Sequence, residues 1–300
     1  MGDVFRTPDE RFEDLPEFPW EPKYREWEGM RLAYLDEQGP AHPTEDGETL
    51  VLLHGEPTWS YLWRKVMPPL LDAGHRCIAP DLPGFGCSDK PTDVDWYSYD
   101  RHSESIASLL EELSLSDVTL VLHDWGGPIG LRNAAENPER VARLVVMDTG
   151  IFTGYQKMSD AWLKFRDFVE RTEDLPIGFL VKGACAQELP DDVFAAYEAP
   201  FPSPESKAGA RAFPLMLATT PDAPGAEAGR KSLEVLEASS PPTLVLWADS
   251  DPILTPKMGA RLAEKLGWPE PEPIPDASHF LQEDQGEMIG KRIAEWLAAS

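Results

Sequence analysis

Three short stretches, each following an apolar run, carry the side chains that could do chemistry. Val118–Leu122 (VTLVL) runs into His123-Asp124-Trp125-Gly126-Gly127 and then into a helical segment, PIGLRNAAEN. A buried strand that turns tightly into a helix is the layout of a nucleophile elbow, which holds one side chain exposed above a sheet. Small residues must follow the nucleophile because the helix starts against the strand, and Gly126 and Gly127 supply them. The stretch departs from the pattern G-x-S-x-G twice: Leu122 replaces the first glycine, and Asp124 stands where the serine would be. A carboxylate there is charged at neutral pH, with an ordinary pKa of about 3.9. Its chemistry would be ester-forming attack on carbon, a covalent route. A strand end with a helix-capping aspartate reads the same way in isolation, so the elbow needs partners.

The partners occur in the chain order that an α/β-hydrolase triad requires: nucleophile, acid, histidine. Thr243–Trp247 (TLVLW) leads into Ala248-Asp249-Ser250-Asp251-Pro252. Of its two carboxylates Asp251 is preferred, being on the loop four positions beyond the apolar run, which leaves Asp249 for a turn or cap. Asp276-Ala277-Ser278-His279-Phe280 follows, just before the last helix. A lone histidine is usually structural. Of the six histidines, however, only His279 both follows the acid and precedes the terminal helix. The third stretch, Leu53-His54-Gly55-Glu56-Pro57-Thr58-Trp59, also stands at a strand end. In this fold an oxyanion hole combines the N–H after the nucleophile with one from such an earlier loop. The backbone amides of Trp125 and Glu56 would be the donors, with Gly55 allowing close approach. A simple tight turn is the plainer reading of His54–Pro57.

Positioning such residues needs a parallel sheet. Thr49–Leu53, Arg76–Ala79, Val118–Leu122, Leu144–Met147 and Thr243–Trp247 are continuously apolar, as strands buried on both faces are. A lead-in strand near Met30–Tyr34 is weakly signalled. Between the strands lie amphipathic helical patterns, such as Ile106, Leu109, Leu110 and Leu113, or Ile289, Ile293, Trp296 and Leu297. Alternation of this kind implies βαβ crossovers and an α/β, mostly parallel, doubly wound sheet. From 151 to 238 no strand is evident, and helical fragments such as Ala161–Glu170 and Pro190–Tyr197 appear instead. That stretch is expected to form a helical cap over the carboxyl ends of the strands, where open α/β sheets bind ligands. Residues 1–150 and 239–300 would form the core domain.

Composition closes off other classes. The 300-residue chain carries 53 acidic and 27 basic residues, a formal charge of −26. Such a field repels phosphate backbones and anionic lipid, so neither nucleic acid nor membrane is an expected partner. A solubilising surface is a plainer explanation of the charge than adaptation to salt. Three cysteines, Cys77, Cys87 and Cys185, show no pairing or metal-ligand spacing and fit a reduced compartment. No signal peptide, bilayer-length apolar run, internal repeat, phosphate loop or dinucleotide fingerprint is found. The expectations are a cytoplasmic protein, a monomer, with no metal and no cofactor.

HGEPTW, DLPGFGCSD, HDWGG and DASHF, in this order, resemble the haloalkane dehalogenases, particularly the subgroup with Glu after the His-Gly pair; the resemblance runs from about Glu28 to Leu297. It implies a small halogenated alkane as substrate, with water as co-substrate and halide as product. Asp124 would displace halide and form an alkyl ester. His279, oriented by Asp251, would then activate water to hydrolyse it. A halide needs weak, dry donors, and an indole N–H donates without accepting. Trp125 would supply one. The resemblance calls for a second, in the cap, where Trp162 is the sole tryptophan; read without it, Trp162 would be a core aromatic of a cap helix. Pro214, Ile253 and Leu254 resemble pocket-lining positions, and Phe165 and Phe168 could join them or pack the cap. Epoxide hydrolases share a similar elbow and are the alternative, but they normally use two cap tyrosines. Here only Tyr155 and Tyr197 occur, far apart. A fluoroacetate dehalogenase would carry Arg after the nucleophile, and a non-catalytic binding module on this fold could lose the triad.

Overall fold

The strands form where apolar runs have both faces to bury. The structure, a computed structural model, describes residues 2–39 and 47–299. Its main sheet has eight strands: β1 (Lys23–Trp27), β2 (Met30–Gln38), β3 (Thr49–Leu53), β4 (Arg76–Pro80), β5 (Val118–Asp124), β6 (Val141–Thr149), β7 (Thr243–Ala248) and β8 (Glu272–Ile274). Their spatial order is β8-β7-β6-β5-β3-β4-β2-β1. Pairing is parallel from β8 across to β4 and antiparallel for β4–β2 and β2–β1. All of β7, and β5 from Val118 to His123, is buried, which is why these runs read as continuously apolar. Two strands were not foreseen. β1 (KYREW) is largely exposed, with only Arg25 buried, and β8 is three residues long.

The α-helices are α1 (Met67–Asp72), α2 (Tyr99–Glu112), α3 (Gly126–Glu136), α4 (Asp160–Arg171), α5 (Ile177–Gly183), α6 (Asp191–Glu198), α7 (Ala208–Met216), α8 (Ala226–Ser239), α9 (Pro256–Leu266) and α10 (Leu281–Ala298). The chain winds outward from β3 in both directions. Right-handed crossovers therefore put α1 on one face and α2, α3, α8 and α9 on the other. Packing agrees: α10 lies on α1, while α2, α3, α8 and α9 form a row. Ile289, Ile293 and Leu297 of α10 and Ile106, Leu109 and Leu110 of α2 are buried, as their spacing requires.

Between β6 and β7 the chain is helical throughout its regular elements. α4 packs on α7 and α5 on α6, whereas α8 packs on α3 beside the sheet. By packing, then, α4–α7 form the roof over the strand ends, within residues 151–238. Phe213 of α7 sets it on the core, edge-on to Trp125 and to Phe85, with ring centroids 5.0 and 4.9 Å away. A buried polar cluster adds a second anchor. Glu283 of α10 accepts from Arg64, at 2.8 Å from Nη2, and from the Tyr197 hydroxyl of α6. Burial alone would raise the Glu283 carboxyl, but the Arg64 guanidinium outweighs it and holds the group below its usual range. Among the described residues no helix is long and apolar enough to cross a membrane.

Candidate active site

Four neighbouring strands deliver titratable residues to one edge of the sheet: Asp124 at the end of β5, Asp148 near the end of β6, Asp251 after β7 and His279 after β8. Asp124 is in the left-handed region, with φ 47°, a conformation aspartate tolerates better than most residues. The turn survives only because its neighbours are small. A Cβ on Gly55 would lie 2.1 Å from Asp124 Oδ1, and one on Gly127 would lie 1.7 Å from Thr149 Oγ1.

The Asp124 carboxylate is divided between two sets of neighbours. Its Oδ1 accepts the Glu56 amide at 2.8 Å, and the Trp125 amide also donates to the carboxylate. Its Oδ2 faces His279 Nε2 across 3.7 Å, too far for a hydrogen bond. Burial raises the Asp124 carboxyl above its ordinary value, opposed by His279 and the two amides. His279 Nδ1 lies 2.8 Å from Asp251 Oδ2. Asp251 Oδ1 accepts the amides of Ile253 (2.6 Å) and Leu254 (3.0 Å). Burial pulls the imidazole down, but the charge of Asp251, its hydrogen bond and the charge of Asp124 together lift it above 6.5. Asp249, the other carboxylate considered, is exposed and bonds Ser250 and the Asp276 amide, away from His279.

Two side chains to which sequence reasoning gave no role, those of His123 and Glu56, shape this arrangement. The His123 ring is fully buried, and desolvation followed by proximity to His279 keeps it neutral. Its Nε2 lies 2.8 Å from the His279 carbonyl oxygen and donates to it. The Glu56 side chain is buried beside the nucleophile; burial and the Asp124 charge push its carboxyl well above the usual range. Both effects disfavour a second anion beside Asp124. Nothing but its place beside Gly55 could have flagged this.

A cavity of about 430 Å³ opens over Asp124 and Trp125. Phe152, Met158, Trp162, Leu217, Ile253 and Leu254 contribute its apolar wall. Neither indole N–H, of Trp125 or of Trp162, has a hydrogen-bond partner among the described residues. Phe165, Phe168 and Pro214 do not line this space. Phe165 packs against the core, Phe168 is exposed on the outer face of α4, and Pro214 is buried within α7, whose Phe213 reaches Trp125 instead. A larger open groove, about 1670 Å³, runs between the N-terminal segment and α10 but touches none of the four strand-end groups. Volume alone would misplace the site; convergent titratable groups decide it.

A mostly parallel doubly wound sheet with a strand-to-helix elbow and a helical insertion defines the α/β hydrolase fold, and residues 48–285 match the family model described as alpha/beta hydrolase fold. The chain is 44% identical to the haloalkane dehalogenase of Mycolicibacterium paratuberculosis, over 99% of each chain. It is 41% identical to that of Psychrobacter cryohalolentis, over 98% of each. The tetrameric haloalkane dehalogenase of Paraglaciecola agarilytica NO2 superposes with a TM-score of 0.89 at 37% identity, covering 99% of this chain and 98% of that one. The chain belongs to the haloalkane dehalogenase family.

Proposed function

We propose that this chain hydrolyses haloalkanes to a primary alcohol, halide and a proton through an alkyl ester on Asp124. The observation that carries the reading is the division of the Asp124 carboxylate: Oδ1 engaged by the Glu56 amide, and Oδ2 unbonded and turned toward His279. In the first step Oδ2 attacks the halogen-bearing carbon in line, and the carbon–halogen bond breaks as the carbon–oxygen bond forms. Trp125 and Trp162, with indole N–H groups unengaged at the cavity, receive the halide.

Oδ1 then becomes the ester carbonyl oxygen, already bonded to the Glu56 amide, with the Trp125 amide beside it. Neutral His279 takes a proton from water, whose oxygen attacks the Asp124 carboxyl carbon. Charge developing on Oδ1 is met by the same amides; one such donor is typically worth about 3 kcal/mol. Asp251 keeps the His279 ring oriented and stabilises its charged form. Collapse releases the alcohol and frees the carboxylate. Residues 151–238 supply the cap of this site. All proposed site groups come from one chain, which supports a catalytically complete monomer, although a relative is tetrameric.

The epoxide reading loses its activating groups. Tyr197 is committed to Glu283, and Tyr155 is 73% exposed and outside the cavity wall. The deciding experiment offers purified protein 1,2-dibromoethane and follows bromide and acid release. Absence of halide from a panel of bromoalkanes, with diol formed from an epoxide, would overturn the reading.

A further inference from the structure

Of the four strand-end groups, the proposed reaction uses Asp124, Asp251 and His279 and leaves Asp148 without a task. Asp148 is wholly buried. Its Oδ1 accepts the Ala248 amide of β7 at 3.0 Å. Its Oδ2 is sealed from solvent and meets no N–H among the described residues. The group it does meet is another carboxyl. Side-chain atoms of Asp148, Asp251 and His279 lie within 4.8 Å of one another, so the unpartnered side of the Asp148 carboxyl is packed beside that of Asp251.

Two carboxyls can share a hydrogen bond only if one of them carries a proton. The surrounding donors say which. Asp251 accepts from the amides of Ile253 and Leu254 and from His279 Nδ1; Asp148 accepts from one amide and forms no Lys or Arg ion pair among the described residues. The titratable groups beside Asp148 are Asp251 after β7 and His279 before α10, and the neighbouring strand β5 carries His123 and Asp124 in register with Met147 and Thr149. The charge therefore belongs on Asp251 and the proton on Asp148. We propose that Asp148 is a positioning residue, a neutral carboxylic acid whose O–H donates to Asp251 and holds it under His279. Burial, followed by the charge of Asp251, pushes the Asp148 carboxyl well above its usual range, in keeping with this assignment.

Its role in turnover rests on the reading given above; its protonation does not. As a further donor to Asp251, Asp148 draws negative charge away from the His279 side. Without it the imidazolium is better stabilised, and His279 stays protonated to higher pH. The pair also has a stability signature. A carboxyl that stays protonated when folded but ionises when unfolded costs stability progressively as pH rises above about 4, up to its folded pKa.

The experiment compares wild type with Asp148→Asn and Asp148→Leu. Infrared difference spectra at neutral pH should show a protonated-acid carbonyl band in wild type that Asp148→Asn lacks. The melting temperature of Asp148→Asn should gain on wild type as pH goes from about 4 to 8. With turnover as the readout, Asp148→Leu should move the acid limb of the pH–kcat profile upward by roughly half a unit or more, and Asp148→Asn, which keeps a donor, should bring it back toward wild type. No band and a pH-independent melting difference would overturn the proposal, and so would an acid limb indifferent to Leu. The first two measurements stand even if no halide is released, and Asp148→Asn suffices for them if the leucine variant does not fold.

Discussion

The floor and the roof of the cavity are built on different terms. On the floor, the proposed catalytic side chains follow neighbouring strands and are tied by hydrogen bonds, Asp124 to the Glu56 amide and His279 to Asp251. Asp251 alone takes two amides and the His279 ring. On the roof, Trp162 is carried by α4, whose start is capped by a single bond from its amide to Ser159 Oγ at 3.1 Å. Leu163 and Phe168 of the same helix are 48% and 42% exposed. The reacting groups and Trp125 sit on the strand-end frame, whereas the second proposed halide contact, Trp162, sits on a partly exposed cap helix. Bond-making tolerates little misplacement; accommodation of differently sized haloalkanes requires some.

The comparison is broken most directly at the nucleophile. Asp124→Asn should lower turnover by about 10⁴-fold or more while leaving the fold intact, since its amide is no nucleophile; halide release at near wild-type rate would place the attack elsewhere. His279→Gln should cost about 10³-fold in turnover yet spare the first step. One equivalent of halide should appear, and mass spectrometry should find the alkyl group on the peptide containing Asp124. An unmodified peptide, or an adduct elsewhere, would remove His279 from its role. The roof should respond more mildly. Trp162→Phe should weaken bromide binding roughly 10- to 100-fold, the worth of one hydrogen bond to a charge, measured by quenching of tryptophan fluorescence. Unchanged quenching would assign the second donor to another residue.

The smallest effect is one of pH. His279 must be neutral to take a proton, and its pKa lies above 6.5 in the folded chain. Hydrolysis should therefore lose about tenfold per pH unit on an acid limb centred above 6.5. The same raised pKa stabilises the fold fully below 6.5, and that contribution fades as pH climbs through the folded value. An acid limb centred below 6.5 would contradict the environment described for the ring.

The contrast between floor and roof is also a contrast in legibility. Strands covered on both faces advertise themselves as unbroken apolar runs, and the residues just beyond β5 and β7, with His279 before the last helix, could be named from position and order. Asp148 escaped although it ends a run as apolar as theirs (LVVM, then Asp). A triad asks for one acid, and only packing reveals that two carboxyls meet. β1 was hidden because an exposed antiparallel strand loses the apolar signature. The cap resisted for a different reason. An amphipathic helix there has an apolar side for the core and another for the cavity, and spacing cannot say which is which. Trp162 fell on the cavity side, whereas Phe165 and Phe168 did not.

The bond from His123 to the His279 carbonyl spans the two ends of the machinery. The donor is the residue immediately before the nucleophile, and the acceptor is the main chain of the base itself. The spacing between Asp124 and His279 is thereby gauged by one rigid ring rather than by the loop of residues 275–280. Such a loop can change composition over generations, or breathe from moment to moment, without losing calibration. The same ring sets the limit on that freedom. A chain that mislays this imidazole would keep every reacting atom and lose the ruler between them.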